Sequence, residues 1–380
     1  MNDRPLRLLH VYRTYLPDTQ GGLEEVIHQI CRNTLDLNIE SRIFSLSANP
    51  EPPVLKREEA EVHRFYRTFE IASCGVSVGA LSGFKQLVEW ADVVHYHFPW
   101  PFADLLHFFG RVSKPSLVTY HSDIVRQKSL LRLYRPLMRS FLDRVDAIVP
   151  TSQNYFATSD VLGRYAEKVE VIPIGLNDES YPDVSEQEFS SVRERIGEGF
   201  FLFVGVLRYY KGLHILLDAL QGTSVKCVIV GAGPVENELK RHATMLRLDN
   251  VRFLGYVSDV EKVALMRLCR AVVFPSHLRS EAFGVTLLEG AMHEKPLIST
   301  EIGTGTSYVN VDGKTGFVIP PADAKELREA MLRLDQDEAL AERMGKAARA
   351  RYEALFAGRL MGERYANLYE RLHEGSRHRH

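Results

Sequence analysis

Ala271-Val272-Val273-Phe274-Pro275-Ser276-His277-Leu278-Arg279-Ser280-Glu281-Ala282-Phe283-Gly284-Val285-Thr286-Leu287-Leu288-Glu289-Gly290-Ala291-Met292 is the stretch on which the reading of this chain turns. Ala271 to Phe274 reads as a short buried strand and Pro275 to Phe283 as a loop, with a helix starting near Gly284 or Val285. Were Glu281 and Glu289 on one helix, they would stand roughly 12 Å apart along the axis and about 80° apart around it, a poor fit for a paired acid and base. In the strand–loop–helix reading Glu281 precedes the helix and Glu289 lies about one turn inside it. A helix start presents free N–H groups and the positive end of a dipole, which suits a phosphate. The segment then places a carboxylate at a reacting group, amides at a diphosphate and a second carboxylate at a ribose diol. A capped amphipathic helix with two solvated glutamates is the competing reading.

Outward from this segment, strand-like runs alternate with helix-like stretches along the whole chain, the pattern of βαβ units and parallel sheets. In the first half the expected strands are Leu6–Tyr12, Ser41–Leu46, Val93–Phe98, Ser116–His121, Ala147–Thr151 and Val169–Ile174. In the second half they are Phe201–Val206, Lys226–Val230, Val251–Tyr256, Ala271–Phe274, Leu297–Ser299 and Gly316–Ile319. Asn177 to Gly199, polar and with Pro182, reads as the linker region. The fold class is therefore α/β, with two Rossmann-like domains whose parallel sheets face each other across a cleft. The expected bounds are 1–178 for the first domain, 179–358 for the second, and 359–380 for a helix returning to the first domain and a tail.

The 380 residues, 45% hydrophobic and 25% charged, fit a globular chain of two ordinary domains. A formal net charge of −2 argues against nucleic acid as a partner. Cys31, Cys74, Cys227 and Cys269 are far apart, and no CxxC or Cys/His cluster is visible. Neither zinc nor a disulfide framework is expected, and a reducing cytoplasm fits. Leu6–Tyr12 reads as a strand rather than as part of a signal peptide, and no apolar run approaches the length of a membrane span.

Several short motifs fall at strand ends, where open α/β sheets bind ligands. Gly21 and Gly22 stand before a helix expected from Glu24, where glycine permits positive φ and close approach of a ligand; a flexible turn is the alternative. No GxGxxG follows the first strand, which disfavours a nicotinamide dehydrogenase. His121 lies in Thr119-Tyr120-His121-Ser122-Asp123 at the C-terminal end of its strand, and His95 and His97 end the preceding strand. Arg208 and Lys211 share one strand-to-helix loop, close enough for both to reach a diphosphate. Gly231-Ala232-Gly233 ends the next strand, where small residues leave room for a nucleotide, and Val257 and Asp259 end the third, where they can read a base edge. Arg126–Arg144 carries Arg126, Lys128, Arg132, Arg135, Arg139 and Arg144 among Leu130, Leu133, Tyr134 and other apolar residues. It reads as a basic amphipathic helix interrupted at Pro136, fit either for an anionic membrane surface or for a buried seat with a solvated basic face.

The ordered set Gly21-Gly22, His121, Arg208 with Lys211, Gly231-Ala232-Gly233 and Glu281-x7-Glu289 resembles the retaining glycosyltransferases of family 4, which have the GT-B fold. Gly303-Thr304-Gly305-Thr306-Ser307-Tyr308-Val309 and Asp312-Gly313-Lys314-Thr315-Gly316-Phe317 also fit, and the resemblance covers nearly the whole chain. It implies sugar transfer from a nucleotide sugar, with His121, Arg208, Lys211 and Glu281 as the catalytic set. Arg208 and Lys211 would hold the diphosphate and Glu289 the ribose hydroxyls. Glu281 would touch the sugar hydroxyls, with backbone amides from Phe283 and Gly284. Val285 and Thr286 at the helix start, with Gly21, Gly22 and Gly231, complete the donor-binding set, and Val257 and Asp259 meet the base. His121 would approach the sugar from the first domain, which would hold the acceptor. No Asp-x-Asp is seen near these motifs, so no metal and no other cofactor is expected.

The Gly303–Val309 run resembles that of bacterial mannosyl- and rhamnosyltransferases of lipopolysaccharide O-chain assembly, although Ser307-Tyr308 stands where many relatives carry a Pro-Glu pair. The expected donor is therefore GDP-mannose or GDP-D-rhamnose, and the expected acceptor a polyprenyl-diphosphate-linked saccharide. The expected location is the cytoplasmic face of the inner membrane, bound peripherally. The rivals are a UDP-GlcNAc-dependent enzyme of the same fold and a non-catalytic sugar-nucleotide-binding subunit.

Overall fold

The computed structural model describes residues 4–19, 21–71, 74–124 and 128–377. The chain divides into two compact units, one formed by Met1–Gly175 with Gly358–His380 and the other by Leu176–Ala357.

The first unit contains β1 (Leu6–Val11), β2 (Ile39–Ser47), β3 (Val54–Lys56), β4 (Glu61–Tyr66), β5 (Phe69–Ile71), β6 (Cys74–Val76), β7 (Val93–Phe98), β8 (Ser116–Tyr120) and β9 (Ala147–Pro150). Seven of these make one sheet in the order β3-β4-β2-β1-β7-β8-β9, and β5 and β6 form a separate hairpin. All pairs in the large sheet are parallel except β3 with β4. Strand β7, Val-Val-His-Tyr-His-Phe, is buried at every position, as a central strand covered on both faces must be. The C-terminal helix Gly358–Arg377 belongs to this unit and lays Tyr365 and Tyr369, both fully buried, against the sheet.

The second unit contains β10 (Phe201–Val204), β11 (Cys227–Val230), β12 (Val251–Gly255), β13 (Ala271–Phe274), β14 (Leu297–Thr300) and β15 (Gly316–Ile319). They form one parallel sheet in the order β12-β11-β10-β13-β14-β15. The order runs outward from β10 in one direction and then from β13 in the other. The connections from these two neighbours therefore lead to opposite sides of the sheet order, and the carboxyl ends between them are where such sheets hold ligands. The first unit repeats the arrangement between β1 and β7.

Several expectations need correction. Val169–Ile174 is not a strand: Val169 makes one isolated bridge to Ile148, and the backbone follows β9 only through Glu170 and Ile172. Pro173 has no N–H with which to continue the ladder. Asn177–Gly199, expected as the linker region, contains a helix, Glu186–Ile196, with Ser185 and Glu188 in a reciprocal capping box. Pro136 does not interrupt the basic helix, which runs as one element over Lys128–Arg144. Arg126 lies outside the described residues, as do the side chains of Lys128 and Leu130. The first helix starts at Gly22 rather than Glu24. Strands β3 to β6 were not expected. Among the described residues no helix is long and apolar enough to cross a membrane.

Candidate functional site

In the second unit the loop after β10 and the loop after β13 meet at the strand-order reversal. Lys211 Nζ is paired there with Glu281 Oε2, and both side chains are almost wholly enclosed. Ser276 Oγ donates to the same oxygen at 3.2 Å, and the Lys211 ammonium lies 4.6 Å from the centre of the Phe274 ring. The pair is thus held by a hydroxyl, an aromatic face and two short loops, in a setting where an unpartnered charge is costly. Arg208 is exposed, and no carboxylate pairs with it among the described residues.

Gly284 caps the helix Val285–Met292 with φ +89, and a Cβ there would crowd Phe274 and Leu287 at 3.1 Å. Only glycine takes this left-handed turn without strain. Phe283 is buried, and Thr286 Oγ1 donates to the Val204 carbonyl at 3.1 Å, fastening the helix start to the end of β10. Leu287 N–H turns back to the Gly284 carbonyl at 2.9 Å, and the N–H groups of Val285 and Thr286 before it are those a helix start leaves without an intrahelical acceptor. Glu289 sits one turn in and is 7% exposed. It accepts from Lys262 Nζ at 3.0 Å and from Tyr181 Oη at 3.1 Å. Burial alone would lower the Lys262 ammonium, but the carboxylates of Glu289 and Asp259 beside it carry its pKa above the ordinary value. Asp259, exposed in the first turn of its helix, is 3.3 Å from the same ammonium, and Val257 just before it is half-buried.

The glycines behave differently from expectation. Gly231 has φ +120, and a Cβ there would stand 2.1 Å from the Gly205 carbonyl oxygen; one at Gly233 would stand 2.4 Å from that of Leu207. The space these residues leave is filled by neighbouring backbone, so they pack two strand-end loops together rather than vacating room for a ligand. Gly21, at φ −156, uses extended backbone open to any residue, although a Cβ there would meet the Glu24 carboxylate at 2.8 Å. That carboxylate accepts from Thr14 and Thr19 at 2.7 and 2.8 Å. Gly22 has open space around it.

In the first unit, His121 is buried and its Nε2 lies 3.1 Å from His97 Nδ1; His97 Nε2 lies 3.2 Å from His10 Nδ1. His95 is enclosed beside them, with Nε2 at 2.7 Å from Thr119 Oγ1 and Nδ1 at 2.8 Å from Tyr369 Oη. His10, His95 and His97 offer ligand nitrogens within 4.8 Å of one another. The expectation that no such cluster exists is corrected. The residues are distant in sequence, and the register of β1 with β7, which sets His10 opposite His95, brings them onto one face. Burial pushes His10 and His121 down to about 3, and His95 and His97 well below the usual imidazole range. The loop after His121 is fixed by Asp123, whose Oδ1 accepts from Tyr120 Oη and Ser159 Oγ at 2.8 Å each.

Sequence reasoning missed Ser276, Lys262, Tyr181 and the His10–His97 link. Lys262 was findable, three residues after Asp259 on one helix face. Tyr181 carries no local signal, since it reaches Glu289 across more than a hundred residues.

The buried imidazoles make stability fall in acid. His10 and His121 stay neutral in the folded protein down to about pH 3, whereas in the unfolded chain they take a proton below about 6.5. The unfolded state then binds more protons, so stability is complete above pH 6.5 and is lost as pH falls, by about 1.4 kcal/mol per unit for each such group. Denaturant titrations between pH 7 and 5 should show this slope, and His10→Leu should reduce it by up to one proton. An unchanged slope in that variant would contradict neutral burial.

Two family models match the chain: Glycosyltransferase Family 4 over residues 20–180 and Glycosyl transferases group 1 over residues 184–351. A D-rhamnosyltransferase of Pseudomonas aeruginosa, WbpZ, is 55% identical over 92% of this chain and 92% of its own length. The O-antigen chain mannosyltransferase C of Escherichia coli is 48% identical over 97% of this chain and 99% of its own. Among solved structures, HepE of Anabaena in complex with UDP and glucose superimposes with a TM-score of 0.77 at 20% identity, covering 96% of this chain and 99% of that one. That likeness speaks for the fold. With two parallel-sheet α/β units, the ordered motifs and these relatives, the chain belongs to the family-4 glycosyltransferases and has the GT-B fold.

Proposed function

We propose that this glycosyltransferase moves a hexose, mannose or D-rhamnose, from a GDP-sugar to a polyprenyl-diphosphate-linked saccharide, with retention at the anomeric carbon, in the assembly of O-antigen or a related polysaccharide. The observation that carries the reading is the meeting of Lys211 and Glu281 at the strand-order reversal of the second unit, beside the start of the helix Val285–Met292. The names of the two relatives given above support the sugar and the polysaccharide.

In this reading the bond from the anomeric carbon to the diphosphate oxygen breaks, and its electron pair leaves with the diphosphate. Arg208, Lys211 and the N–H groups from Phe283 to Thr286 meet that growing charge. Fixed donors aimed at developing charge lower a barrier without reorganising. Glu281, steadied by Lys211 and Ser276, contacts sugar hydroxyls, and Glu289 exchanges part of its bonding to Lys262 and Tyr181 for the ribose diol. Asp259 accepts from guanine N1–H and N2–H, next to Val257. His121 serves the sugar as a neutral hydrogen-bonding group. The acceptor hydroxyl bonds to the anomeric carbon and gives its proton to an oxygen of the departing diphosphate. Two cations and a helix terminus take the part a divalent metal would otherwise play, so the reaction is proposed to need none.

Turnover of GDP-mannose with a lipid-linked acceptor tests this. Arg208→Ala and Lys211→Ala should each lower kcat by about 100-fold, from loss of charge-assisted contacts of about 1.5–3 kcal/mol, Arg208→Ala with Tm little changed and Lys211→Ala with a lowered Tm, because it leaves Glu281 enclosed without its partner. Glu281→Ala should cost turnover more than GDP affinity, and Glu289→Ala the reverse. Activity should survive excess EDTA. Near-normal rates in either cation variant, or full loss in EDTA restored by manganese, would contradict the mechanism. Faster turnover of UDP-GlcNAc would favour the rival donor.

The acceptor requires a visit to a bilayer, and the helix Lys128–Arg144 is proposed to supply it. Arg132, Arg135 and Arg139 are exposed, and Leu133 is 81% exposed. Met138, Phe141 and Leu142 seat the other face in the core, and Tyr134 Oη is turned to Asp104. Each basic residue near an anionic leaflet contributes about 1 kcal/mol. Sedimentation with anionic vesicles should show binding that weakens with salt and with Arg132→Glu combined with Arg135→Glu. Absence of binding at low salt would refute the membrane proposal.

A further inference from the structure

The clustered histidines His10, His95, His97 and His121 of the first unit, all buried, need an explanation beyond packing. His10, His97 and His121 form a chain in which each link joins two ring nitrogens, at 3.2 and 3.1 Å. A neutral imidazole carries one proton, so each link requires a donor on one ring and a bare nitrogen on the other. His97 uses both nitrogens. Only two arrangements of the whole chain therefore exist. In one, protons sit on Nδ1 of all three rings; in the other, on Nε2 of all three.

The far end of the chain chooses between them. His10 Nε2 is buried and has no hydrogen-bond partner among the described residues. In the Nε2 arrangement it would be an orphaned N–H, the rarer and costlier kind of unsatisfied group in folded proteins. In the Nδ1 arrangement it is only an unused lone pair. We propose that His97, with His10 behind it, is a positioning residue that holds His121 in the tautomer protonated on Nδ1. This rests on the reading of His121 as a group serving the donor sugar, and it specifies what His121 offers there: a hydrogen-bond donor, not a base.

Two other uses of the cluster fit less well. A proton relay needs an exit, and this chain ends at an enclosed, unpartnered nitrogen. A metal ion at His10, His95 and His97 would displace existing bonds. Both nitrogens of His95 face the hydroxyls of Thr119 and Tyr369, and both of His97 face other imidazoles. The ion would also be desolvated beside three neutral rings with no carboxylate in the set. The sheet accounts for the geometry. His95 and His97 alternate on one face of β7, and Thr119 and His121 continue that face on and just beyond β8.

The test is a long-range proton–nitrogen correlation spectrum of the full chain labelled with ¹⁵N-histidine, at pH 7.5 and without substrate, so that its outcome is independent of the transferase reading. His121 Nδ1 should appear in the protonated, pyrrole-like range and Nε2 in the bare, pyridine-like range. In His97→Phe, which keeps an aromatic ring and removes both nitrogens, the His121 signals should move toward a mixture of tautomers. Wild-type His121 protonated on Nε2 would overturn the proposal whether or not the variant folds. So would an unchanged His121 in a folded His97→Phe protein, or ligation shifts of His10, His95 and His97 on adding one equivalent of zinc.

Discussion

Each large sheet in this protein has a strand-order reversal, between β10 and β13 in one and between β1 and β7 in the other, and Lys211 with Glu281 and His10 with His95 and His97 lie there. The constraint is topological. Crossovers of one hand place successive strands outward from a starting pair, so the loops from that pair must part. In the second unit the parting loops carry Lys211 and Glu281, whose ion pair closes across the crevice from β10 to β13. Neither group is tolerable alone in so enclosed a place, and each gives the other a fixed position. Around this pair the helix start at Gly284, the buried Phe283 and the Thr286 tether fall into place.

The first unit uses the same topology with different chemistry. Its reversal lies between β1 and β7, and the register there sets His10 against His95. Imidazoles fill the gap where the second unit has opposite charges. Buried in the interior of the unit, with Tyr365 and Tyr369 packed on His95, they are pushed to the neutral form and become hydrogen-bonding groups rather than charges. The tyrosine contacts also explain why the last helix belongs to this unit: Tyr365 and Tyr369 satisfy Thr119 and His95, which would otherwise be buried polar groups without partners.

What the sequence disclosed follows from which signals are local. The strands on either side of the reversals are short, largely buried runs, and their expected bounds differ from the observed ones by at most two residues. Glu281 before its helix and Glu289 inside it were legible because Gly284 marks the boundary. Strand β4 was hidden because its inward position Arg64 is a charge, paired with Asp18 at 2.9 Å, which breaks the apolar alternation. The capping box at Ser185 and Glu188 was a local signal overlooked within a polar stretch. Partners across sheet registers, such as His10 with His97, Tyr181 with Glu289 and Gly231 against Gly205, have no local signature. They exist only once strand pairing is known.

The central claim is that the crevice between β10 and β13 holds the diphosphate of the donor, and calorimetric titration of GDP tests it most directly. In EDTA the wild-type protein should bind GDP, and Lys211→Ala, at a temperature where it remains folded, should bind it at least about tenfold more weakly, the equivalent of 1.4 kcal/mol. Equal GDP affinity in a folded Lys211→Ala protein would contradict the account.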